Sequence, residues 1–572
     1  MSAKIIINAN KFKIFSNQSW FLYSLPCLVF SIFGFKDLSL PGLYMDSVNP
    51  DYLAAWIQKG SLSIPAWIYP DNFIAGLYEY PLLNSLYGGN STAYLAILFF
   101  KIFGFGVVEV RLFHSLLGIA TLLSIVWCLL KWRIPKYAVF LFVTLLASDP
   151  SYIYAWRTQY YLQLYPLIWF FLGIGLLGTF FDDEKNNEHK FTKVFLAGAL
   201  IGFSAYSYFI FAIYAASIAV LFFLIVRKYR IKSSFYFVAG LLIGFMPYIY
   251  AHASIIANTD FSFWVNQIKG LQTAYGVVDT DQGGLIERLY IVASRLEQLV
   301  FGIGVESTIF GSSEDAVLSS FVALGLLSFF IFFYRLRFFS SLKFLHEREE
   351  VGHIFLSFLA TFISVCILFH LIFGAAIGKP LGLQHYIMLI PVVYFFCAVL
   401  FSKISYLKLS SPVRLVVKSA AFVLAACILT INILSGHRIS YRLMTEGGNG
   451  LYSEAINTTG LYLQSVPTKT ALLFPQWGYW MGVVTITGAR HPVFHALNVE
   501  EMEIRLKTDP ELKKINSFIL VLGLDYFRGS DFDVDPKDLA ERNGLTLRDV
   551  TTIYGRNNID KVLLLHLSRT ES

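Results

Sequence analysis

The chain is poor in charge. Only 15% of its 572 residues are Asp, Glu, Lys or Arg, against roughly 25% in an ordinary soluble domain, which excludes a water-soluble protein for the chain as a whole. Cysteine is scarce too: Cys27, Cys128, Cys366, Cys397 and Cys427 all fall within apolar runs. No loop disulfide or metal finger is encoded, and the cysteines say nothing of redox compartment. The polar C-terminal stretch has no Gly-rich phosphate loop and no clear catalytic triad. No small-residue cleavage site follows the first apolar run, so that run is expected to be retained.

In place of charge there is hydrophobicity. Apolar residues make up 56% of the chain and aromatics 17%, and runs of membrane-spanning length recur from end to end. We read eleven spans, at 20–36, 108–130, 135–149, 160–181, 192–207, 208–226, 233–256, 314–334, 351–373, 385–402 and 415–435. Lys and Arg number 21 in the loops on one side and 7 on the other, which places the N-terminus in the cytoplasm. An odd number of spans then puts the stretch from His437 outside. The net charge of +7 follows from this topology, and nucleic acid is not an expected partner. The fold class is an all-α polytopic membrane domain of about 11 transmembrane helices (1–436), with a small extracytoplasmic α/β domain (437–572). In that domain strands are expected at 470–474, 517–522 and 561–566, and a helix within 499–514. The long outer loops, 37–107 and 257–313, are expected to hold helices in the interface at 50–59, 91–103 and 285–301.

Chemistry gathers at the outer face in four clusters. Asp46 and Asp51 follow the first span, and Tyr78-Glu79-Tyr80-Pro81-Leu82 comes late in the same loop. Ser148-Asp149-Pro150 precedes Arg157, and Lys379 lies just before Gln384-His385-Tyr386. Carboxylates can act as a base or hold a hard cation, and Arg and Lys suit a phosphate. With apolar grooves beside them, these groups fit a lipid-linked phosphate reacting at the surface. Arg111 and His114 share a face of the second span, and a buried Arg there is expected to pair with a first-loop carboxylate. Each group also has a plain reading: Asp51 favours the helix after it, Asp149 begins a turn, and Lys379 snorkels. Asn90-Ser91-Thr92 and Asn457-Thr458-Thr459 match the glycosylation acceptor pattern. A transporter or flippase is the main alternative, but transporters carry charge near the midplane and in repeated halves. A polyprenyl-linked polysaccharide polymerase or ligase is another.

The order of motifs is an acid after the first span, Glu79-Tyr80-Pro81-Leu82, Leu95 then Ile102-Phe103-Gly104, and Val110-Arg111-Leu112-Phe113, with Asp149, Lys379, Tyr386 and Pro391 further on. It resembles the GT-C membrane glycosyltransferases, in particular the protein O-mannosyltransferase and lipid A aminoarabinose transferase group. The resemblance implies a glycosyltransferase of the inner (plasma) membrane. Its partners would be a polyprenyl-phosphate-linked sugar, membrane lipids, and a lipid, glycan or protein acceptor. By it Asp46 matches the catalytic acid and Glu79 the acid of a Glu-Lys-Pro-Pro segment. Asp51, Tyr80 and Arg111 support them, and Arg157, Lys379, His385 and Tyr386 meet the donor phosphate. A divalent cation, magnesium or manganese, is left open, with Asp149 and either Asp46 or Glu79 as ligands. Two departures stand out: Ser47 where the family often has Glu, and Tyr80 where the aminoarabinose enzymes have a phosphate-contacting Lys.

Overall fold

A computed structural model describes residues 19–59, 81–159, 164–182, 190–226, 231–274, 284–311, 351–376, 381–403, 411–476, 479–496, 498–523 and 535–569. The first part holds α1 (Ser19–Gly34), α2 (Met45–Val48), α3 (Tyr52–Lys59), a hairpin of β1 (Leu83–Ser85) and β2 (Gly88–Gly89), α4 (Ser91–Phe103) and α5 (Val107–Lys131). Next come α6 (Lys136–Ser148), α7 (Pro150–Tyr154) with a π-helical turn at Ala155–Gln159, α8 (Pro166–Asp182), α9 (Lys190–Ser207), α10 (Ile210–Val226) and α11 (Ile231–Asn258). The stretch after α11 gives α12 (Phe261–Ala274), α13 (Leu285–Gln298) and α14 (Ile303–Phe310), followed by α15 (Val351–Ala376), α16 (Leu389–Lys403) and α17 (Ser411–Glu446). Every expected span forms a helix except 314–334, which lies outside the described residues. The three stretches expected to hold interfacial helices are helical, as α3, α4 and α13.

Among the described residues, five helical stretches are long and apolar enough to cross a membrane: Val107–Lys131, Ile231–Asn258, Leu359–Ala376, Leu383–Ser402 and Ser419–Glu446. A sixth is the pair Lys136–Ser148 and Pro150–Thr158, bent by 58°, if it counts as one span. Helices α1, α8, α9 and α10 are apolar but only 16 to 18 residues long, at the short end of what a bilayer needs. The chain is an integral membrane protein.

The bundle is held by close packing, because lipid tails offer little hydrophobic drive for helices to associate. The tightest pairing joins α9 and α11, each with glycines four apart: Gly198 and Gly202 on one, Gly240 and Gly244 on the other. A Cβ at Gly198 would overlap the carbonyl of Phe237, and one at Gly244 would overlap the carbonyl of Ala199. Here the backbones themselves touch. The 58° bend has a local cause. The Asp149 carboxylate accepts from the Ser151 N–H at 2.8 Å, and Pro150 stands at the first helical position, where its missing N–H costs nothing.

Helix α17 runs on through His437 to Glu446, and the polar domain follows it. Its elements are α18 (Ala455–Gln464), β3 (Ala471–Phe474), α19 (Tyr479–Thr487), β4 (Val493–His495), α20 (Val499–Thr508), α21 (Pro510–Lys513), β5 (Ser517–Gly523), α22 (Pro536–Arg542), β6 (Leu545–Tyr554) and β7 (Lys561–Arg569). The sheet order is β4-β3-β5-β7-β6, with β3 parallel to both neighbours and the β5–β7–β6 pairings antiparallel. Successive strand residues face opposite ways. Leu473, Phe518, Leu520, Leu565 and Leu567 form an outer core beside Met502, Leu512 and Leu539. Their alternates Leu472, Phe474, Ile519, Val521 and Leu564 belong to the same continuous core as the membrane helices. The C-terminal domain is therefore packed into the membrane domain through one face of its sheet.

Candidate functional site

The segment from Asp37 to Lys59 is the hub of the face expected to lie outside. Its first half, 37–43, is neither helix nor strand, so its backbone polar groups need partners from elsewhere. Arg111, fully buried on α5, donates to Leu38 O at 3.0 Å, to Pro41 O, and to Gly42 O at 3.4 Å. Arg157, 1% exposed, donates to Asp37 O and lies 5.3 Å over the Tyr154 ring. Among the described side chains no first-loop carboxylate meets Arg111, which grips carbonyl oxygens instead, and several of these together can balance a buried guanidinium. The carboxylate goes one turn further along α5, where His114 Nε2 donates to Asp51 Oδ2 at 2.7 Å with both side chains buried.

Asp46 lies in α2, and the hydroxyl of its neighbour Ser47 donates to Thr158 O, next to Arg157. Asn49, at the end of α2, accepts from Asn84 of the hairpin at 3.0 Å. The hairpin bridges through Gly88 to Tyr208, and Tyr87 O accepts from Phe209 N–H at 3.1 Å. Tyr208 in turn hydrogen-bonds His385 Nδ1, the two rings lying 12° from parallel. A continuous chain of contacts therefore joins the segments that carry Asp46, Arg157 and His385. Tyr386 is 1% exposed and packs against Gly374 and His370 of α15, inside the bundle. Asp149 has both oxygens engaged, one by Ser151 N–H and one by Tyr394 O–H at 2.9 Å. Among the described residues no three His, Cys, Asp or Glu side chains group as metal ligands. Glu79, Tyr80 and Lys379 lie outside the described residues.

Helix α19 is buried along its whole length and packs on α2 and α3. Trp480 stacks on Trp56 at 5.5 Å and meets Tyr52 edge-on at 5.1 Å. Burial holds the Tyr52 hydroxyl above its ordinary pKa. The His495 ring also lies against Trp480, at 5.1 Å, and burial and then the Arg505 charge lower its imidazole to about 3, so it is neutral at physiological pH. Both glycosylation patterns are excluded in the folded chain. Asn90 is 1% exposed and donates to Pro81 O and Leu83 O, and Asn457 is 4% exposed with its amide also fully used.

Sequence reasoning missed three groups. The sequence around Asn457 reads only as an acceptor pattern. Spacing sets His114 on the face of Arg111 but names no partner for it. Glu306 on α14 is fully buried between Arg438 at 2.7 Å and Arg442 at 3.0 Å, tying the 257–313 stretch to the end of α17; the i, i+4 spacing of those arginines is its only sequence signal. The His114–Asp51 pair carries a prediction. Removing one partner of a buried pair costs about 3–5 kcal/mol, so His114→Ala is expected to lower thermal stability in detergent sharply. The double variant with Asp51→Ala should lose clearly less than the two single losses added together. Strict additivity in that cycle would mean the pair is not coupled.

The fold, a polytopic helical bundle whose long loops form the hub beside a small α/β domain, is shared with solved structures. ArnT from Cupriavidus metallidurans, in its structure bound to undecaprenyl phosphate, aligns with a TM-score of 0.53 at 10% identity, covering 96% of this chain and 98% of its own. Its apo structure gives 0.52 at 10% identity over 98% of both chains. The Archaeoglobus fulgidus oligosaccharyltransferase, in complex with zinc and sulfate, gives 0.50 at 14% identity over 87% of this chain and 67% of its own. No protein-family model and no curated protein sequence matches the chain.

Proposed function

We propose that this chain is an integral membrane glycosyltransferase that moves a sugar from a polyprenyl-phosphate donor to an acceptor hydroxyl at the extracytoplasmic face. The observation that carries this reading is the fold shared along 96% of the chain with ArnT, whose structure holds undecaprenyl phosphate. The clustering of the hub segments at one end of the bundle supports it, as does the excess of Lys and Arg in the opposite loops, which sets the N-terminus in the cytoplasm. In this reading Asp46 is the base. It removes the proton of the acceptor hydroxyl as that oxygen attacks the anomeric carbon. The new C–O bond forms as the bond to the phosphate oxygen breaks, so the anomeric centre inverts. The phosphate leaves as a weak base and needs no strong general acid. Lys379 and His385, before α16, meet its charge, and Arg157 contributes a positive charge from a fixed, low-dielectric position. The acceptor is a lipid, glycan or protein.

The test uses the purified full chain in nanodiscs with radiolabelled polyprenyl-phosphate sugars, and a parallel reconstitution in vesicles. Protein-dependent release of polyprenyl phosphate, with the label passing to an acceptor or to water, is the expected result. Labelled donor that crosses the vesicle bilayer intact and is never consumed would overturn the reading in favour of a transporter.

A further inference from the structure

Asn457 sits on α18 of the C-terminal domain, yet its side chain is spent on the loop after α1. Its Oδ1 accepts from Leu43 N–H at 2.9 Å, and its Nδ2 donates to Ser39 O at 2.8 Å and to Pro41 O at 2.9 Å. One amide thus satisfies three backbone groups of an irregular segment that ends three residues before Asp46. The same domain adds a second hold, because Tyr452 O accepts from Gly42 N–H at 2.7 Å. A third comes from α19, which approaches so closely that a Cβ on Gly482 would overlap Leu43 O. From the membrane side Arg111 holds Leu38, Pro41 and Gly42, and Arg157 holds Asp37.

The segment that aims α2 is therefore clamped between two bodies, and Asn457 is the polar jaw of the outer one. A domain that merely docked could bury apolar surface and leave this backbone to water. Instead, the buried Pro41 carbonyl and Leu43 N–H, and the Ser39 carbonyl at the edge of the contact, depend on a side chain more than four hundred residues away in the sequence. Donor and acceptor are both required here. An Asp would offer no donor to the two carbonyls, and a Gln would place its amide one carbon too far.

We infer that Asn457 is a positioning residue for Asp46, and that the C-terminal domain completes the candidate active site. The inference rests on the proposed role of Asp46 as the base.

The experiment compares the full chain, Asn457→Ala, and Arg548→Ala, whose exposed side chain lies on the edge strand β6. Three quantities are measured for each in detergent: amide exchange at residues 42–44, equilibrium binding of a polyprenyl-phosphate sugar, and its turnover. For Asn457→Ala the expected result is exchange of the Leu43 amide at least tenfold faster, kcat at least tenfold lower, and donor Kd within about twofold of the unchanged protein. Arg548→Ala should match the unchanged protein in all three. Turnover by Asn457→Ala within twofold of the unchanged protein overturns the inference and leaves the proposed function standing. So does an unaltered Leu43 exchange rate, or donor binding and turnover lost in equal proportion, which would mark a general structural loss. An unchanged protein that consumes no donor overturns the proposed function, and the inference with it.

Discussion

Asp46→Asn is expected to lower turnover of a polyprenyl-phosphate sugar by at least about a hundredfold while the donor still binds. A well-placed general base contributes roughly 10²–10⁴ in rate, so the lower bound corresponds to about 2.7 kcal/mol of lost transition-state stabilisation. Asn keeps the shape and the hydrogen-bonding reach of Asp but cannot accept the acceptor's proton. The hold on α2 is made by its neighbours, through Ser47 to Thr158 and Asn49 to Asn84, so the substitution should not move the segment. The loss is therefore expected in kcat, with donor Kd unchanged. Equal turnover by the two proteins would remove Asp46 as base even if the class of reaction is right.

The spans were legible because a bilayer imposes a length and a composition that local sequence must satisfy alone. That is why α9 and α10 could be separated at Ser207 with only Tyr208 and Phe209 between them. The break after α6 was harder to read. Tyr152 to Trp156 continues the apolar composition, and only the Asp-Pro pair marks the 58° bend. In the C-terminal domain the buried strands β3, β5 and β7 were visible as apolar runs. The edge strands were not: β4 is three residues long, and β6 interleaves Thr546, Arg548, Asp549 and Thr551 because one of its sides meets water.

Partners were the least legible part of the site. Sequence spacing set Arg111 and His114 on one face of a helix, but which of them meets Asp51 is decided by where the 37–43 turn passes. That turn brings its carbonyls to Arg111 and leaves Asp51 to His114. Asn457 shows the same limit. Its local context reads as a surface acceptor pattern, and its work is done on residues 39–43, which no local rule connects to it. The same holds for the glycines of α9 and α11, whose spacing was present in the sequence but gains its meaning only when the two helices are laid together.

Gly244→Val tests that pairing and is expected to cost about 3 kcal/mol or more, the upper end of overpacking penalties. The new side chain would overlap Ala199 O and lie 2.7 Å from Phe203 N. Both are backbone atoms of a helix, so neither can rotate away as the tip of a side chain could. The helices must separate, and with them goes the dispersion contact that holds α9 to α11 in a solvent offering little hydrophobic drive. Gly270→Val on α12 supplies the comparison, since nothing lies within 4 Å of a Cβ there. Val and Gly differ by only a few tenths of a kcal/mol in helix propensity, so Gly270→Val should melt close to the unchanged protein. Thermal unfolding in detergent, read alongside the monodisperse yield after extraction, separates the two. Hairpin residues Leu82 and Leu86 give a further readout. Their carbonyls accept from Tyr206 of α9 and Tyr248 of α11, each at 2.7 Å, so forcing those helices apart also pulls on the hairpin beside Asn49. Turnover by Gly244→Val protein that still folds should fall for that reason, while Gly270→Val keeps both its stability and its activity.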